Sequence, residues 1–240
     1  MGKESSMKAP DMEKLRALQF EDAVDGYCFA SVVGSHMWGT NTLTSDVDYF
    51  VCYMAPTNDI LKGVADRGSR CINMEATSSN PKTDFSFHEI GHVIDQLIKG
   101  NVNFLWGMFS PMGIQSAIFD YRGLSDLAEK SLSKSCARSI YGMSKHNYEK
   151  YIRDKKLSEK ELEKKCNTVV RTLKFGERIL KGKGISFEPS SNNTLATVEY
   201  EMDKFLEAEE KSLLPANCPN EEDLRCWLLC ERLNLAGYDF

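Results

Sequence analysis

No apolar run in this sequence approaches the roughly 20 residues that a membrane-spanning helix needs, so no membrane span is expected. The first twenty residues mix Lys3, Glu4, Lys8, Asp11 and Glu13 with few apolar side chains and lack the hydrophobic stretch of a signal peptide, so a cytoplasmic location is the expectation. Among the eight cysteines there is no CxxC pair and no regular spacing. Cys226 and Cys230, four apart, read as neighbours on the apolar face of a last helix rather than as a zinc knuckle, and free thiols are expected instead of a disulfide framework. An excess of basic charge is also missing: the net charge of −5 argues against a surface built to coat nucleic acid without selection. Positive charge is concentrated only locally, over residues 145–165 and 171–183. What is present is an ordinary soluble balance in 240 residues, enough for one large domain or two small ones.

No internal repeat interrupts the chain. Met12 to Val24 carries apolar residues at helical spacing, and Tyr27 to Val33 is an apolar, β-branched run that reads as a buried strand. That strand stops at Gly34–Ser35. A second strand, Val47 to Met54, ends at Ala55–Pro56, and Thr57 is placed to cap a short helix. Residues 62–83 are rich in Gly, Ser, Asn and Arg and read as a long loop. Phe87 to Ile98 reads as a helix closed by Gly100. From about Leu124 the pattern is helical, with turns near Lys156, Gly182 to Ser191 and Pro215 to Pro219; Glu199 to Lys211 reads as an exposed helix. These elements imply a mixed α/β domain over 1–120 and a helical domain over 121–240.

The chemistry concentrates between the first two strands. A Gly directly after a strand lets the backbone approach a ligand closely, and Gly34 with Ser35 offers amides and a hydroxyl suited to a phosphate. Asp46 and Asp48 are two apart on a strand, so both carboxylates face one side. An acidic side next to an apolar run is costly unless neutralised. Mg²⁺, a hard cation held by a few carboxylates and substrate phosphates, would neutralise it. Two such ions could activate an attacking oxygen and stabilise a leaving pyrophosphate. On residue types alone, a common Gly-Ser turn and a solvated Asp-x-Asp strand end explain the same letters equally well.

Gly-Ser, a helical turn and then Asp-x-Asp on the next strand resembles the signature of polymerase-β-type nucleotidyltransferases. More narrowly, GSHMWGTNTLTSDVDYFVCYMAP is similar to the RNA-repair-associated nucleotidyltransferase family. The resemblance implies a third acidic residue before a helix that ends in a Lys-Gly-Asn-x-Asn turn, matched here by Asp84 and by Lys99-Gly100-Asn101-Val102-Asn103, with Phe109-Ser110-Pro111 beyond. It also implies a later helix carrying a Lys and an Arg, echoed by Lys165 and Arg171 in KKCNTVVRTLKFGERIL. The chain departs from the family at Phe50, where Arg is frequent, and at Trp106, where Glu is frequent.

A competing motif follows Asp84. His88-Glu89-Ile90-Gly91-His92 spells H-E-x-x-H; on a helix both imidazoles would share a face, ready for Zn²⁺, with Glu89 as general base. The continuation supplies no third ligand, and under the nucleotidyltransferase reading the same residues are the helix after Asp84. Lys145, Lys165, Arg171 and Lys174 could clamp a triphosphate, or simply solvate helix faces. Trp38 and Tyr49 could stack on a base, or pack in the core.

The expected fold is therefore α/β (α+β): a polymerase-β-type core with a short mixed sheet, followed by a helical domain. The expected reaction moves a nucleoside monophosphate from a nucleoside triphosphate such as ATP to an acceptor hydroxyl, with an RNA 3′ end or a protein as acceptor. Asp46, Asp48 and Asp84 are the expected catalytic and metal-holding residues, with Mg²⁺ or Mn²⁺ as cofactor. Gly34, Ser35, Lys145, Lys165 and Arg171 are the expected nucleotide contacts. The alternatives are a degenerate nucleotide-binding module without transfer, and a zinc metallopeptidase built on residues 88–92.

Overall fold

Tyr27–Val33 (β1) and Val47–Tyr53 (β2) pair antiparallel, as runs rich in aromatic and β-branched residues do when both faces are covered. The computed structural model describes residues 27–236 apart from Leu43, Asp66, Arg67, 77–81 and Asp154. The helix expected over Met12 to Val24 lies outside the described residues. Between β1 and β2, Gly34–Met37 forms a single helical turn, α1. Thr57–Lys62 is α2, closed by Gly63 in the left-handed region at φ 72°. Its cap is Pro56; Thr57 is the first helical residue, and its hydroxyl donates to the Arg232 carbonyl at 3.4 Å.

Two elements differ from the sequence expectation. The segment read as a long loop contains a strand, Ser69–Met74 (β3), antiparallel to Thr83–Glu89 (β4). All six β3 residues are exposed, so the strand carries none of the burial alternation that marks strands in a sequence. The helix expected from Phe87 starts later. Thr83, Phe85 and Phe87 are buried on one face of β4, and parallel pairing with β2 runs through Tyr53↔Glu89. The helix that follows, α3, is Ile90–Ile98.

With Gly113–Gln115 (β5), the sheet has the order β3-β4-β2-β1-β5, mixed in direction. One face carries the core of Ala30, Val32, Tyr49, Val51, Tyr53, Phe85 and Phe87. The other face carries Asp48, Phe50 and Cys52 beside Asp84, Ser86 and His88 by the same register. Val102–Phe109 (α4) covers part of that second face: a Cβ on Gly107 would stand 2.4 Å from the Phe50 ring, and Ser31 Oγ donates to the Gly107 carbonyl at 2.6 Å.

The Lys-Gly-Asn-x-Asn turn joins α3 to α4. Gly100, at φ 72°, donates its amide to Leu97 O, and Asn101 donates to Gln96 O, the paired bonds of a Schellman end. Asn101 Oδ1 then accepts from the Asn103 amide and caps the next helix. Tyr121–Lys130 (α5), Lys134–Tyr151 (α6), Glu159–Leu180 (α7), Leu195–Lys211 (α8) and Glu221–Leu235 (α9) complete the described chain, with turns where the sequence places them and one more, at 131–133, that it does not. Helix α8 is not merely an exposed helix: Val198 and Phe205 are buried, and Phe205 fills the space a Cβ on Gly176 would need.

The chain groups into two compact units, Met1–Asp95 with Trp106–Asp126 and Glu222–Phe240, and Gln96–Leu105 with Leu127–Glu221. They are not the consecutive stretches 1–120 and 121–240. The reason lies in α9, whose buried Arg232 pairs with buried Glu89 of β4 and donates to Ala55 O at 3.2 Å. On α9, Cys226 and Cys230 are exposed, while Leu224, Glu231 and Arg232 are buried, the reverse of the apolar face read from the sequence. Among the described residues no helix is long and apolar enough to cross a membrane.

Candidate active site

Strand β1 delivers the chain into a turn that only glycine can open. Gly34 sits at φ 66°, and a Cβ there would stand 2.2 Å from Asp48 Oδ2. The missing side chain therefore removes both a backbone penalty and a steric block in front of the carboxylate. The turn closes on itself: Gly39 donates to His36 O, and Thr40 donates to Ser35 O, each at 3.0 Å. Thr42 and Ser45 then bind one another, with the Thr42 amide donating to Ser45 Oγ at 2.8 Å and the Ser45 amide to Thr42 O at 3.1 Å. This second turn presents Asp46, exposed, directly before β2.

Asp48 and Asp84 stand opposite each other in the parallel register of β2 and β4. Burial pushes the Asp48 carboxyl above its ordinary range, the charges of Asp84 and Asp46 push it further, and His36 and Lys82 pull it back. Asp46 and Asp84, the other two aspartates named by the sequence, are thus each within electrostatic reach of Asp48. Lys82 Nζ lies 3.3 Å from Asp84 Oδ2, and this hydrogen bond raises the Lys82 pKa. Asp84 Oδ1 is buried without a hydrogen-bond partner. His36 and Lys82 escaped the sequence reading, although the rule that groups Asp46 with Asp48 also puts Lys82 beside Asp84, two residues apart on an extended chain.

Among the described residues no three His, Cys, Asp or Glu side chains stand close enough together, as oriented, to hold a metal ion. The donor chemistry nevertheless fits Mg²⁺ or Mn²⁺. All three groups are hard oxygen donors, one carboxylate oxygen is buried and unsatisfied, and one carboxyl is destabilised by like charge. Mg²⁺ needs only one or two protein carboxylates because it keeps waters and substrate phosphates as ligands.

The H-E-x-x-H segment does not have metallopeptidase geometry. His88 and Glu89 are consecutive on β4 and so point to opposite faces, while His92 is on α3. His88 Nδ1 is 2.7 Å from Ser69 Oγ, and its ring stacks on Phe50 at 4.4 Å. Glu89 is held by Arg232 and by the Gly91 amide at 2.7 Å, so its carboxylate is already engaged and is not placed to activate water. Trp38 and Tyr49 belong to the core: Trp38 packs edge-on to Trp106 at 5.7 Å, and Tyr49 stacks on Phe85 at 4.8 Å.

The expected cations lie in the second unit. Lys145 on α6 and Lys174 on α7 are exposed. Lys165 on α7 has its Nζ 5.0 Å from the Tyr151 ring centre. Arg171 on α7 is half-buried, and burial lowers its pKa to about 10, so it keeps its charge at neutral pH.

The family described as RNA repair pathway DNA polymerase beta family matches residues 7–228. No curated protein matches the chain in sequence. Among solved structures, spectinomycin adenyltransferase AAD(9) from Enterococcus faecialis, determined with ATP and spectinomycin, is similar over 94% of this chain and 96% of its own, at 12% identity and a TM-score of 0.32.

Proposed function

Because the chain belongs to the RNA repair pathway DNA polymerase beta family and is a nucleotidyltransferase, we propose that it transfers a nucleoside monophosphate from a nucleoside triphosphate to an RNA 3′ hydroxyl. The acceptor hydroxyl gives up its proton to solvent as its oxygen bonds to the α-phosphorus, the bond from that phosphorus to the β-bridging oxygen breaks, and pyrophosphate leaves with the electron pair. The observation that carries this reading is the juxtaposition of Asp48 and Asp84 across β2 and β4, with Gly34 held open in front of Asp48.

Asp46, Asp48 and Asp84 are the residues proposed to hold Mg²⁺ or Mn²⁺. When bound, the ions supply charge neutralisation at the attacking oxygen and the leaving pyrophosphate. The chain's own share is positioning. Gly34 and Ser35 offer amides and a hydroxyl to the β- and γ-phosphates. Lys82 balances Asp84 within the protein. Lys145 and Arg171 are the proposed cations for the triphosphate; Lys165, expected beside them, has its Nζ 5.0 Å from the Tyr151 ring centre and stays available to a phosphate. The catalytic role is proposed for the sheet-bearing unit, in place of residues 1–120 alone.

The test is incubation with α-labelled nucleoside triphosphates, Mg²⁺ and a panel of acceptors. Label is expected on RNA with a free 3′ hydroxyl, and not on RNA whose 3′ end is blocked. Label on protein, or on blocked RNA, would overturn the acceptor assignment; no label on any acceptor would overturn the transfer.

A further inference from the structure

The second unit carries a pocket that the reaction just described leaves unused. It opens where α6 ends and α7 begins, has a volume of about 430 Å³, and is lined by Asn147, Tyr151, Ile152, Lys164, Lys165 and Thr168. That is within the range of about 300–1,000 Å³ typical of ligand pockets. Tyr151 is 41% exposed, and the ammonium groups of Lys150 and Lys165 lie 4.9 and 5.0 Å from its ring centre. Two like charges sharing one ring repel each other, and the ring's electron density offsets only part of that repulsion. The pocket's carboxylate, Glu161, accepts from the Ser158 amide at 3.0 Å and hydroxyl at 2.6 Å and caps α7, and its charge also acts on Lys165, so it offsets part of the pocket's positive charge. Residues 145–165 hold eight Lys and Arg against five Asp and Glu, in a chain whose net charge is −5.

An exposed ring among lysines matches the chemistry of an unpaired base and its phosphates, since every base has a flat face to stack and the lysines can follow the backbone. An acidic peptide would satisfy the lysines but offers Tyr151 no flat partner to stack on. A duplex keeps its bases stacked and offers none to Tyr151. We propose that this pocket holds single-stranded RNA, with one base on Tyr151 and backbone phosphates on Lys150, Lys164 and Lys165. The proposal rests on the reading that the acceptor is an RNA.

The test is fluorescence anisotropy of a labelled eight-nucleotide single-stranded RNA, with EDTA and no triphosphate, so that binding is read without transfer. Three phosphate contacts give a slope of log affinity against log salt of about −2. Tyr151→Ala is expected to weaken binding by roughly 5- to 100-fold, and Tyr151→Phe, which keeps the ring, by less than about 2-fold. The double variant Lys164→Ala with Lys165→Ala should flatten the salt slope by about 1.4. Unchanged thermal melting shows that the variants keep their fold. Equal binding by Tyr151→Ala and wild type would overturn the proposal, as would equal competition by the duplex or by polyglutamate. RNA binding retained by Asp48→Asn while its transfer is lost supports the pocket as a separate site. Transfer to RNA by a wild-type protein that shows no affinity in this assay would sink the pocket and leave the nucleotidyltransferase reading standing; binding without transfer would do the converse.

Discussion

Gly34 is the residue with the least latitude. Its left-handed φ and the 2.2 Å approach of Asp48 Oδ2 to the Cβ position both exclude a side chain. Gly34→Ala should therefore displace the Asp48 carboxylate and lower transfer by about 100-fold, the scale of an ångström-sized misplacement; single-turnover rates check this. Ser35→Ala keeps the backbone amides and removes one hydroxyl, so triphosphate binding should weaken by about 1.5–3 kcal/mol, the worth of a hydrogen bond to a charged group, with turnover retained. Asp48→Asn should instead be nearly silent in transfer. Titrating triphosphate and Mg²⁺ against both variants separates the two losses, and equal transfer by Asp48→Asn and wild type would end the metal-site assignment. His88 predicts a pH dependence. Burial, then the neighbouring His92, lowers its pKa to about 4. As pH falls through 6.5 the unfolded chain gains a proton that the folded chain does not take up until about pH 4. The stability associated with neutral His88 is thus complete above 6.5 and lost on the way down to 4, a loss of about 3 kcal/mol. Urea unfolding at pH 7 and pH 4.5 should show a smaller drop for His88→Gln, which no longer titrates.

At the scale of elements, the junction of β4 and α3 shows how tertiary structure overrides local pattern. Phe87 to Ile98 has an amphipathic helical spacing, yet its first residues complete a strand, because parallel pairing with β2 continues to Glu89 and the buried Glu89 finds Arg232. Arg232→Ala would leave that carboxylate buried and unpaired, at a cost of roughly 3–5 kcal/mol. Adding Glu89→Gln removes the stranded charge and should recover part of the loss; urea unfolding of the single and double variants measures the coupling. Helix α4 depends on a smaller feature. Gly107→Ala would put a methyl 2.4 Å from the Phe50 ring and should cost about 1–3 kcal/mol through overpacking, visible as a lower urea midpoint.

At the scale of the whole molecule, the sheet-bearing unit takes its last helix from the far end of the chain. A fragment ending at residue 120 lacks Arg232, the partner of Glu89, and Glu231, whose Oε1 accepts from the Asp120 amide at 3.0 Å. That fragment is not expected to melt cooperatively by circular dichroism; a sharp transition in residues 1–120 would show that α9 is dispensable to the sheet.

The strand, turn and strand around Gly34 and Asp48 were readable from the sequence because each rests on short-range physics: period-two side chains, glycine's conformational freedom, and the cost of placing carboxylates beside apolar residues. The Gly100 turn was readable for the same reason, since its bonds reach back no further than Gln96. Strand β3 was not, because a strand exposed on both faces is specified by its backbone pairing to β4 and leaves no alternation to read. Nor was the buried face of α9, where an ion pair to a residue 143 positions away, and not the apolar run, selects what is covered. The opposition of Asp84 to Asp48 was named only through a resemblance. Sheet register brings the two carboxylates together, and register is a property of strands meeting in space that no local stretch of sequence encodes.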